Sequence, residues 1–326
     1  MKALVQDTYG DADVLRIDDI DLPTVGAGDV LVRVHAAGID AGVWHLMTGM
    51  PYLTRLGFGL TRPRHRVRGR DFAGVVEAVG NEVTDLAPGD AVFGTSVTGA
   101  FADYVAVPAT RVVRKPANVT FAQAAAVPVS ACTALRALRD NGRLAAGQKV
   151  LVLGASGGVG SYAVQIAKSL GAEVTGVCST AKLDFVRSIG ADHVVDYTTT
   201  DPVDGSATYD LIVDTGGNRP VSELRKALTP DGTLALVGGE GGGRWTGGFG
   251  RQLRAPLLSP FVGQRLTAVV SSERTSDLEE LWRLMESGAL VPAVDSTFAL
   301  EDGVEAIRHY MSGAVRGKAV IELVPA

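Results

Sequence analysis

The chain has 326 residues, 46% hydrophobic and 21% charged, with a formal net charge of −5. This length favours about two domains, and the acidic balance gives no global attraction to nucleic acid or an anionic membrane. No apolar run reaches the roughly 18 residues of a membrane span, and two cysteines, Cys132 and Cys178, make neither a disulfide framework nor a zinc cage.

In chain order, residues 1–115 read as mostly β. The low cysteine count fits a reducing cytoplasm, the expected compartment, and the stretch MKALVQDTYG reads as having no signal-peptide core. Residues 4–5, 14–17 and 30–36 have strand composition, and 40–50 has helical character. Strands are predicted at 75–79 and 91–94, joined by Pro88-Gly89-Asp90, then at 101–107 and 112–113. Pro116 and Pro128 bracket a change to alanine-rich helical sequence. A domain boundary is placed near Ala117, with 118–147 leading into the second domain.

Residues 149–160, KVLVLGASGGVG, organise the second domain. Four apolar residues run into a glycine-rich turn. Val159, Tyr162, Ala163, Ile166, Ala167 and Leu170 then recur with helical spacing. Strand, glycine turn and helix is the layout that sets a diphosphate on a helix N-terminus. Ala155-x-Gly157-x-x-Gly160 is G-x-G-x-x-G with its first glycine replaced by alanine. Gly157 leaves room for phosphates and Gly160 for close packing of helix on strand; Ser156, Gly157, Gly158 and Val159 are the candidate contacts. Further strands at 173–178, 193–195, 209–214 and 233–237 argue a parallel sheet. The same turn spells G-x-S-x-G at Gly154, Ser156 and Gly158, a nucleophile-elbow pattern, with Asp295 and His309 in triad order. The Gly-Gly-Val-Gly continuation and the β-rich sequence before it favour phosphate.

The glycine-dense stretch 238–250 suits either a flap over a flat ligand or a surface loop. A strand at 266–271, a helix at 278–285, a strand at 298–300, a helix at 304–311 and a strand at 319–323 complete the chain. The last of these are expected to rejoin the first domain, giving 1–117 plus 272–326 around 118–271.

Several further motifs occur in order. They are Gly38-Ile39-Asp40, Gly69-x-Asp71-Phe72-Ala73-Gly74-Val75-Val76 and Pro88-Gly89-Asp90-x-Val92-Phe93-Gly94. Ala124-Ala125-Ala126-Val127-Pro128 before Thr133-Ala134, Asp214-Thr215-x-Gly217 and Gly317-Lys318-Ala319-Val320 come after them. Together with the glycine turn they resemble the medium-chain dehydrogenases/reductases, on the zinc-independent, quinone-oxidoreductase-like branch. The resemblance implies an α/β protein: a GroES-like β domain plus a Rossmann, doubly wound parallel-sheet domain, with a nicotinamide cofactor in the cleft between them.

Zinc members of that family ligate the metal with a Cys after the Gly-Ile or Gly-Val pair and with the His of a Gly-His-Glu. Those positions here hold Asp40 and Arg70, and arginine cannot ligate. No His-x-x-x-His pair exists among His35, His45, His65, His193 and His309. No zinc is expected, and with it goes the Lewis acid that polarises a carbonyl. NAD sites place an acid at the end of the second strand. Here that end reads Val177-Cys178-Ser179-Thr180, and Ser179, Thr180 and Lys182 offer donors and a cation instead. The resemblance assigns the 2′-phosphate to Lys182 and Tyr197, so NADPH is expected. It places Thr133 under the nicotinamide, and Gly216, Val237, Gly238 and Lys318 at the cofactor.

Without metal, the acceptor should already be electrophilic: a quinone, or an enone reduced at its β-carbon. Where the family pattern has an acid this chain has Val43. Asp40, His45 and Tyr52 remain as candidate donors or orienting groups, against a bland reading of packed Trp44 and surface His45. Arg62, Arg64, Arg66, Arg68 and Arg70 alternate along a segment taken as extended, which puts them on one face, either solvated or able to take an anionic substrate tail or a partner. Two alternatives stay open: a zinc-free alcohol or carbonyl reductase, and a non-catalytic NADPH-binding sensor or structural protein. The short-chain reductases are set aside because no tyrosine has a lysine four residues on. A small-molecule substrate is the expected partner, with no nucleic acid and no membrane, and a homodimer joined through 266–270.

Overall fold

The computed structural model describes residues 1–217, 219–239 and 243–324. The chain divides into two compact units, residues 1–129, 273–288 and 292–326 in the first and 130–272 with 289–291 in the second.

The first unit opens with β1 (Lys2–Val5) paired antiparallel to β2 (Arg16–Asp19). β3 (Asp29–Gly38) is its longest strand. Val30, Val32 and Val34 point into the core with the period of two that a half-buried strand demands. Its end, Ala36-Ala37-Gly38, is small and wholly buried because a helix lies on it: a Cβ on Gly38 would strike the Ala125 carbonyl oxygen. Asp40 starts α1 (Ala41–Thr48), its Oδ1 accepting from the Gly42 and Val43 amides at 2.6 and 3.3 Å. Such a cap contributes about 1 kcal/mol. Gly49, at φ 61°, ends the helix. A single-turn helix, α2 (Arg55–Phe58), precedes β4 (Asp71–Val79), β5 (Ala91–Thr95), β6 (Tyr104–Pro108) and β7 (Val112–Arg114). α3 (Phe121–Ala125) begins with a Thr120–Gln123 capping box. The unit continues past the boundary expected near Ala117. The reasons are that α3 covers β3 and that the Val129 amide donates to Asp71 Oδ1 at 2.9 Å.

The chain passes into the second unit within α4 (Pro128–Arg136), and that unit then runs β8 (Lys149–Leu153), α5 (Gly158–Ser169), β9 (Glu173–Cys178), α6 (Leu183–Ser188), β10 (His193–Asp196) and β11 (Tyr209–Asp214). It continues with α7 (Val221–Leu224), β12 (Leu228–Leu236), α8 (Phe249–Leu258) and β13 (Arg265–Ala268). All neighbours in its six-stranded sheet are parallel, in the order β10-β9-β8-β11-β12-β13. This is a doubly wound sheet. Its order reverses between β8 and β11, and ligands bind beyond the carboxyl ends of strands at such a reversal. Val150–Leu153 are buried on both faces, as central parallel strands are. The sixth strand, β13, is the one predicted at 266–271, here a parallel edge.

The chain then re-enters the first unit. It adds α9 (Thr275–Glu286), β14 (Val294–Ala299), α10 (Gly303–Met311) and β15 (Lys318–Glu322), and the sheet order is β14-β15-β3-β4-β5-β7 with β6 also on β3. Register matters here: Gly38 of β3 faces Asp71 on one side and Val320 on the other. Lys318, two residues back along β15, is thereby carried to Asp71 across the end of β3.

Candidate functional site

In the second unit the turn after β8 has the geometry of an anion cradle. Gly154 adopts φ 77°, so the left-handed step falls one residue before Ala155. This explains why alanine is accepted where the fingerprint has glycine. Thr215 Oγ1 donates to the Leu153 carbonyl at 2.6 Å and ties the end of β11 to the turn. A Cβ on Gly160 would collide with the Gly154 carbonyl, so this glycine is required for packing. A Cβ on Gly157 would meet only the Gly154 oxygen, at 3.4 Å, and would otherwise fill open space. Gly157 is also the N-cap of α5 and gives no side-chain cap, which leaves the helix-start amides of Gly158 and Val159 for an anion. Ser156 is buried in the turn. These residues fit a dinucleotide diphosphate.

The ends of β11 and β12 supply the neighbouring wall. The Val237 and Gly238 amides both donate to the Asp214 carbonyl at 2.9 Å, and a Cβ on Gly238 would strike the Thr215 oxygen. Gly216 is open on its Cβ side. The Asp214 carboxylate holds the Gly217 amide at 3.0 Å and pairs with Arg251 of α8. Gln252 Nε2 donates to the Val237 carbonyl at 2.9 Å. Within the glycine-dense stretch, residues 240–242 lie outside the described residues. Thr133, on α4, is buried, and its Oγ1 donates to Ser271 Oγ at 3.1 Å.

Ser179 lies directly after β9, and Thr180–Lys182 forms one 3-10 turn. Tyr197 lies directly after β10, its amide donating to the Cys178 carbonyl at 3.1 Å and its side chain 57% exposed. Asp196, which the sequence reading gives no role, stands among them. Thr180 Oγ1 donates to its Oδ2 at 2.6 Å, and the Thr198 amide and hydroxyl reach Oδ1 at 2.9 and 2.7 Å. These bonds, Thr180 foremost, hold its carboxyl below the usual range. An acid closing the third strand, directly before the expected tyrosine, is the signal in the sequence that could have found it.

The first unit gathers the other candidates. Asp40 is buried; Oδ1 caps α1, while Oδ2 has no hydrogen-bond partner. His45 is half-buried rather than a surface residue, with Nδ1 2.7 Å from the Met50 carbonyl. A carbonyl only accepts, so Nδ1 carries the hydrogen and Nε2 of the neutral ring is an acceptor. Burial lowers its pKa, opposed by the Met50 carbonyl and Asp40, so the imidazolium that a proton donor needs is disfavoured. Tyr52 packs with Tyr9 about Arg55, whose guanidinium lies 4.7 and 4.4 Å from the two ring centres.

Lys318, expected at the cofactor, instead turns its ammonium inward. It is 1% exposed and 3.5 Å from Asp71 Oδ2. Burial pushes the Asp71 carboxyl up to about 7; Lys318 opposes the rise and Asp40 adds to it. Arg70 Nη2 donates to Glu273 Oε2 at 2.9 Å. Burial lowers the Arg70 pKa, but the carboxylates of Glu273, Asp40 and Asp71 more than offset that and raise it.

The five arginines do not share a solvated face. No strand forms between α2 and Asp71, and Gly59 and Gly69, with φ 118° and 86°, turn the chain. Arg62 and Arg64 are exposed, while Arg66 pairs with Asp7 and Asp18. Arg68 is 4% exposed and donates to the Leu46 and His65 carbonyls. Desolvation lowers its pKa to about 10.

A zinc ion does not fit these residues. The positions of its two family ligands hold Asp40, whose Oδ1 is committed to a helix cap, and a guanidinium. Among the described residues no three His, Cys, Asp or Glu side chains gather as a metal ion requires. Ser156 belongs to the second unit and the triad candidates Asp295 and His309 to the first, and Asp295 is bound by Arg316 at 2.9 Å.

Residues 26–117 match the alcohol dehydrogenase GroES-like domain, and residues 189–321 match the family described as zinc-binding dehydrogenase. The 2-methylene-furan-3-one reductase of Solanum lycopersicum is 31% identical over all of this chain and 80% of its own length. The chloroplastic quinone-oxidoreductase QR1 of Triphysaria versicolor is 29% identical, covering 99% of this chain and 98% of its own. The quinone oxidoreductase of Coxiella burnetii superposes with a TM-score of 0.88 at 26% identity, covering 99% of both chains. With the doubly wound sheet, the glycine cradle and the GroES-like sheet, these likenesses assign the chain to the medium-chain dehydrogenases/reductases, on the quinone-oxidoreductase-like branch.

Proposed function

We propose that this protein is an NADPH-dependent oxidoreductase that reduces a quinone, or the β-carbon of an α,β-unsaturated carbonyl, without a metal. The carrying observation is the cradle at Gly157, open on its Cβ side at an uncapped helix start. The curated relatives are named for enone and quinone reduction. The cofactor supplies the hydride when bound. Gly157, Gly158 and Val159 hold its diphosphate, and the glycines at 216 and 238 keep the wall beside it free of side chains. The metal-free reading is supported by the donor set around Asp40 and Arg70, which carries a fixed cation where a ligand would stand.

NADPH is favoured over NADH by Lys182 and the exposed Tyr197, together with the missing acid at the end of β9. Asp196 supports a second reading, use of both cofactors, because its carboxylate competes for Thr180 and repels a 2′-phosphate. A homodimer joined along β13 is supported by that strand's position at the sheet edge and by Phe261, 84% exposed, beside it. A cavity of about 600 Å³ is lined by Phe261 together with Arg251, Ala255, Leu257 and Leu258 of α8. A cytoplasmic location is supported by two buried thiols; no helix among the described residues is long and apolar enough to cross a membrane.

The test is calorimetry with NADPH and NADH, then stopped-flow oxidation of NADPH against quinones and enones. Micromolar NADPH binding and turnover of at least one acceptor class are expected. Tight binding without turnover on any acceptor points to a sensor, and no binding of either nucleotide overturns the reading.

A further inference from the structure

We propose that residues 53–64 of the first unit form a docking surface for an anionic lipid bilayer, in which Leu56, Phe58 and Leu60 enter the headgroup layer and Arg62 and Arg64 meet its phosphates.

The segment departs from the rest of the chain in charge. Residues 41–70 hold six arginines and no Asp or Glu, in a chain whose formal net charge is −5. Four of the six are engaged. Arg66 pairs with Asp7 and Asp18, and Arg70 with Glu273. Arg68 is buried against backbone carbonyls, and Arg55 lies over the rings of Tyr9 and Tyr52. Arg62 and Arg64, on either side of the buried Pro63, are exposed and pair with no acid among the described residues.

The same stretch exposes large apolar side chains. Leu53 is 42% exposed, Leu56 69%, Phe58 50% and Leu60 66%. The residues between the first two turn the other way. Thr54 Oγ1 donates to the Pro51 carbonyl at 2.8 Å and Arg55 Nε to the Gly49 carbonyl at 2.9 Å. Leu53 and Leu56, three positions apart on helical turns, are thereby left facing water.

The backbone holds these side chains in place. The Gly59 amide donates to the Arg55 carbonyl at 2.9 Å, and the Tyr9 hydroxyl to the Gly59 carbonyl at 2.6 Å. The Arg64 amide donates to the Phe58 carbonyl at 2.8 Å and closes the loop. A Cβ on Gly59 would strike the Arg62 carbonyl oxygen, so the returning limb lies against the glycine. The two free arginines are brought back beside the apolar residues in this way.

An anionic bilayer takes both kinds of side chain at once, with phosphates at its surface and acyl carbon just beneath. A two-fold contact between copies through this patch would set Arg62 and Arg64 against their own like charges. An acidic peptide would answer the arginines and leave the leucines in water. The net charge of −5 opposes approach of the chain as a whole, so binding depends on the patch and is sensitive to salt. The proposal goes beyond the reductase reading and does not rest on it, because binding is read with neither nucleotide nor acceptor present.

The test is sedimentation of the full chain with sucrose-loaded vesicles of phosphatidylcholine, alone or with about 30% phosphatidylglycerol. Wild type is expected to partition about tenfold or more in favour of the anionic vesicles, and to lose most of that preference in about 0.5 M salt. The double variants Leu56→Ser/Phe58→Ser and Arg62→Gln/Arg64→Gln should each weaken partition about tenfold. All four side chains are exposed, so both variants should melt within about 2 °C of wild type and bind NADPH as wild type does. In Phe58→Trp the indole emission should shift to the blue on anionic vesicles and be quenched by brominated lipid, relative to the wild-type spectrum. Wild type that stays in the supernatant with anionic vesicles overturns the proposal, and leaves the reductase reading standing. Partition that either double variant leaves unchanged overturns it too, since adsorption is then by charge alone or through another surface. So does a wild-type dimer that Leu56→Ser/Phe58→Ser dissociates, which would make the patch a contact between copies, or an indole in Phe58→Trp that brominated lipid fails to quench.

Discussion

The glycine turn of the second unit and the charge cluster of the first are built in opposite ways. The turn is made of backbone and of missing side chains. Gly154 supplies a positive φ, Gly160 avoids a collision, Gly157 leaves a space, and all lie within seven consecutive positions of the chain. The cluster is made of charged side chains brought together from Asp40, Arg70, Asp71, Glu273 and Lys318 by sheet register and by the return of the chain. A site of the first kind is fixed by local conformation and tolerates little change. A site of the second kind is fixed by compensation among charges, so its response is to pH and to the loss of a partner.

The sharpest way to break this contrast is Gly160→Val. The new side chain would meet the Gly154 backbone, which has no freedom to yield. A loss of about 3 kcal/mol or more and no cofactor binding are expected, read by thermal unfolding and by calorimetry. A well-folded Gly160→Val that still binds NADPH would mean that the turn is far more plastic than its geometry.

The cluster predicts a pH effect next in size. Asp71 holds its proton more tightly in the folded chain, up to about 7, than in the unfolded chain, near 3.8. Between those values the native state carries the extra proton, so stability falls as pH rises. Urea unfolding should show the protein losing stability from this group as pH rises between about pH 5 and 8. The variant Asp71→Asn carries no titrating group at this position, so its profile should lack this fall and lie closest to wild type at the acidic end, where Asp71 is itself neutral. A wild-type profile that is flat, or rises, over that range contradicts the assignment.

These two regions also mark how far the sequence can be read. The second unit's strands, its glycine turn and the return of the last strands are legible, because each rests on local periodicity or on a glycine that only one conformation explains. Ala155 looks like a defect in the fingerprint and is not one, since Gly154 takes the unusual φ. The arginines mislead for the opposite reason. Alternation predicts a shared face only in an extended chain, and Gly59 and Gly69 turn this segment, sending Arg66, Arg68 and Arg70 to three different sets of partners. Nothing near Arg70 in sequence announces Glu273, 203 positions away. Lys318 has the right motif but a different place from the one inferred, because its partner is set by which strand β15 joins.

Gly157→Ala separates function from fold inside the turn itself. Its Cβ would sit 3.4 Å from one oxygen and otherwise in open space, so the melting temperature should stay within about 2 °C of wild type. The same methyl occupies the volume a phosphate needs. NADPH affinity is expected to drop about tenfold or more, which corresponds to about 1.4 kcal/mol. Unchanged affinity would remove Gly157 from the cradle.

The smallest effect tests the border between the two kinds of site. Asp196 is an exposed side-chain group set at the edge of a backbone-built one, and it holds the Thr180 hydroxyl at 2.6 Å. In Asp196→Asn the carboxylate's repulsion is gone and Thr180 is released toward a 2′-phosphate. The NADPH dissociation constant should fall about threefold to tenfold at low ionic strength, and less in about 0.5 M salt, because exposed charges are screened. NADH carries no 2′-phosphate and should bind Asp196→Asn as it binds wild type. If both nucleotides respond alike, Asp196 acts on the shared adenosine half and the discrimination belongs to Lys182 and Tyr197 alone. If NADPH alone tightens, the carboxylate beside Tyr197 is what keeps this chain open to both cofactors.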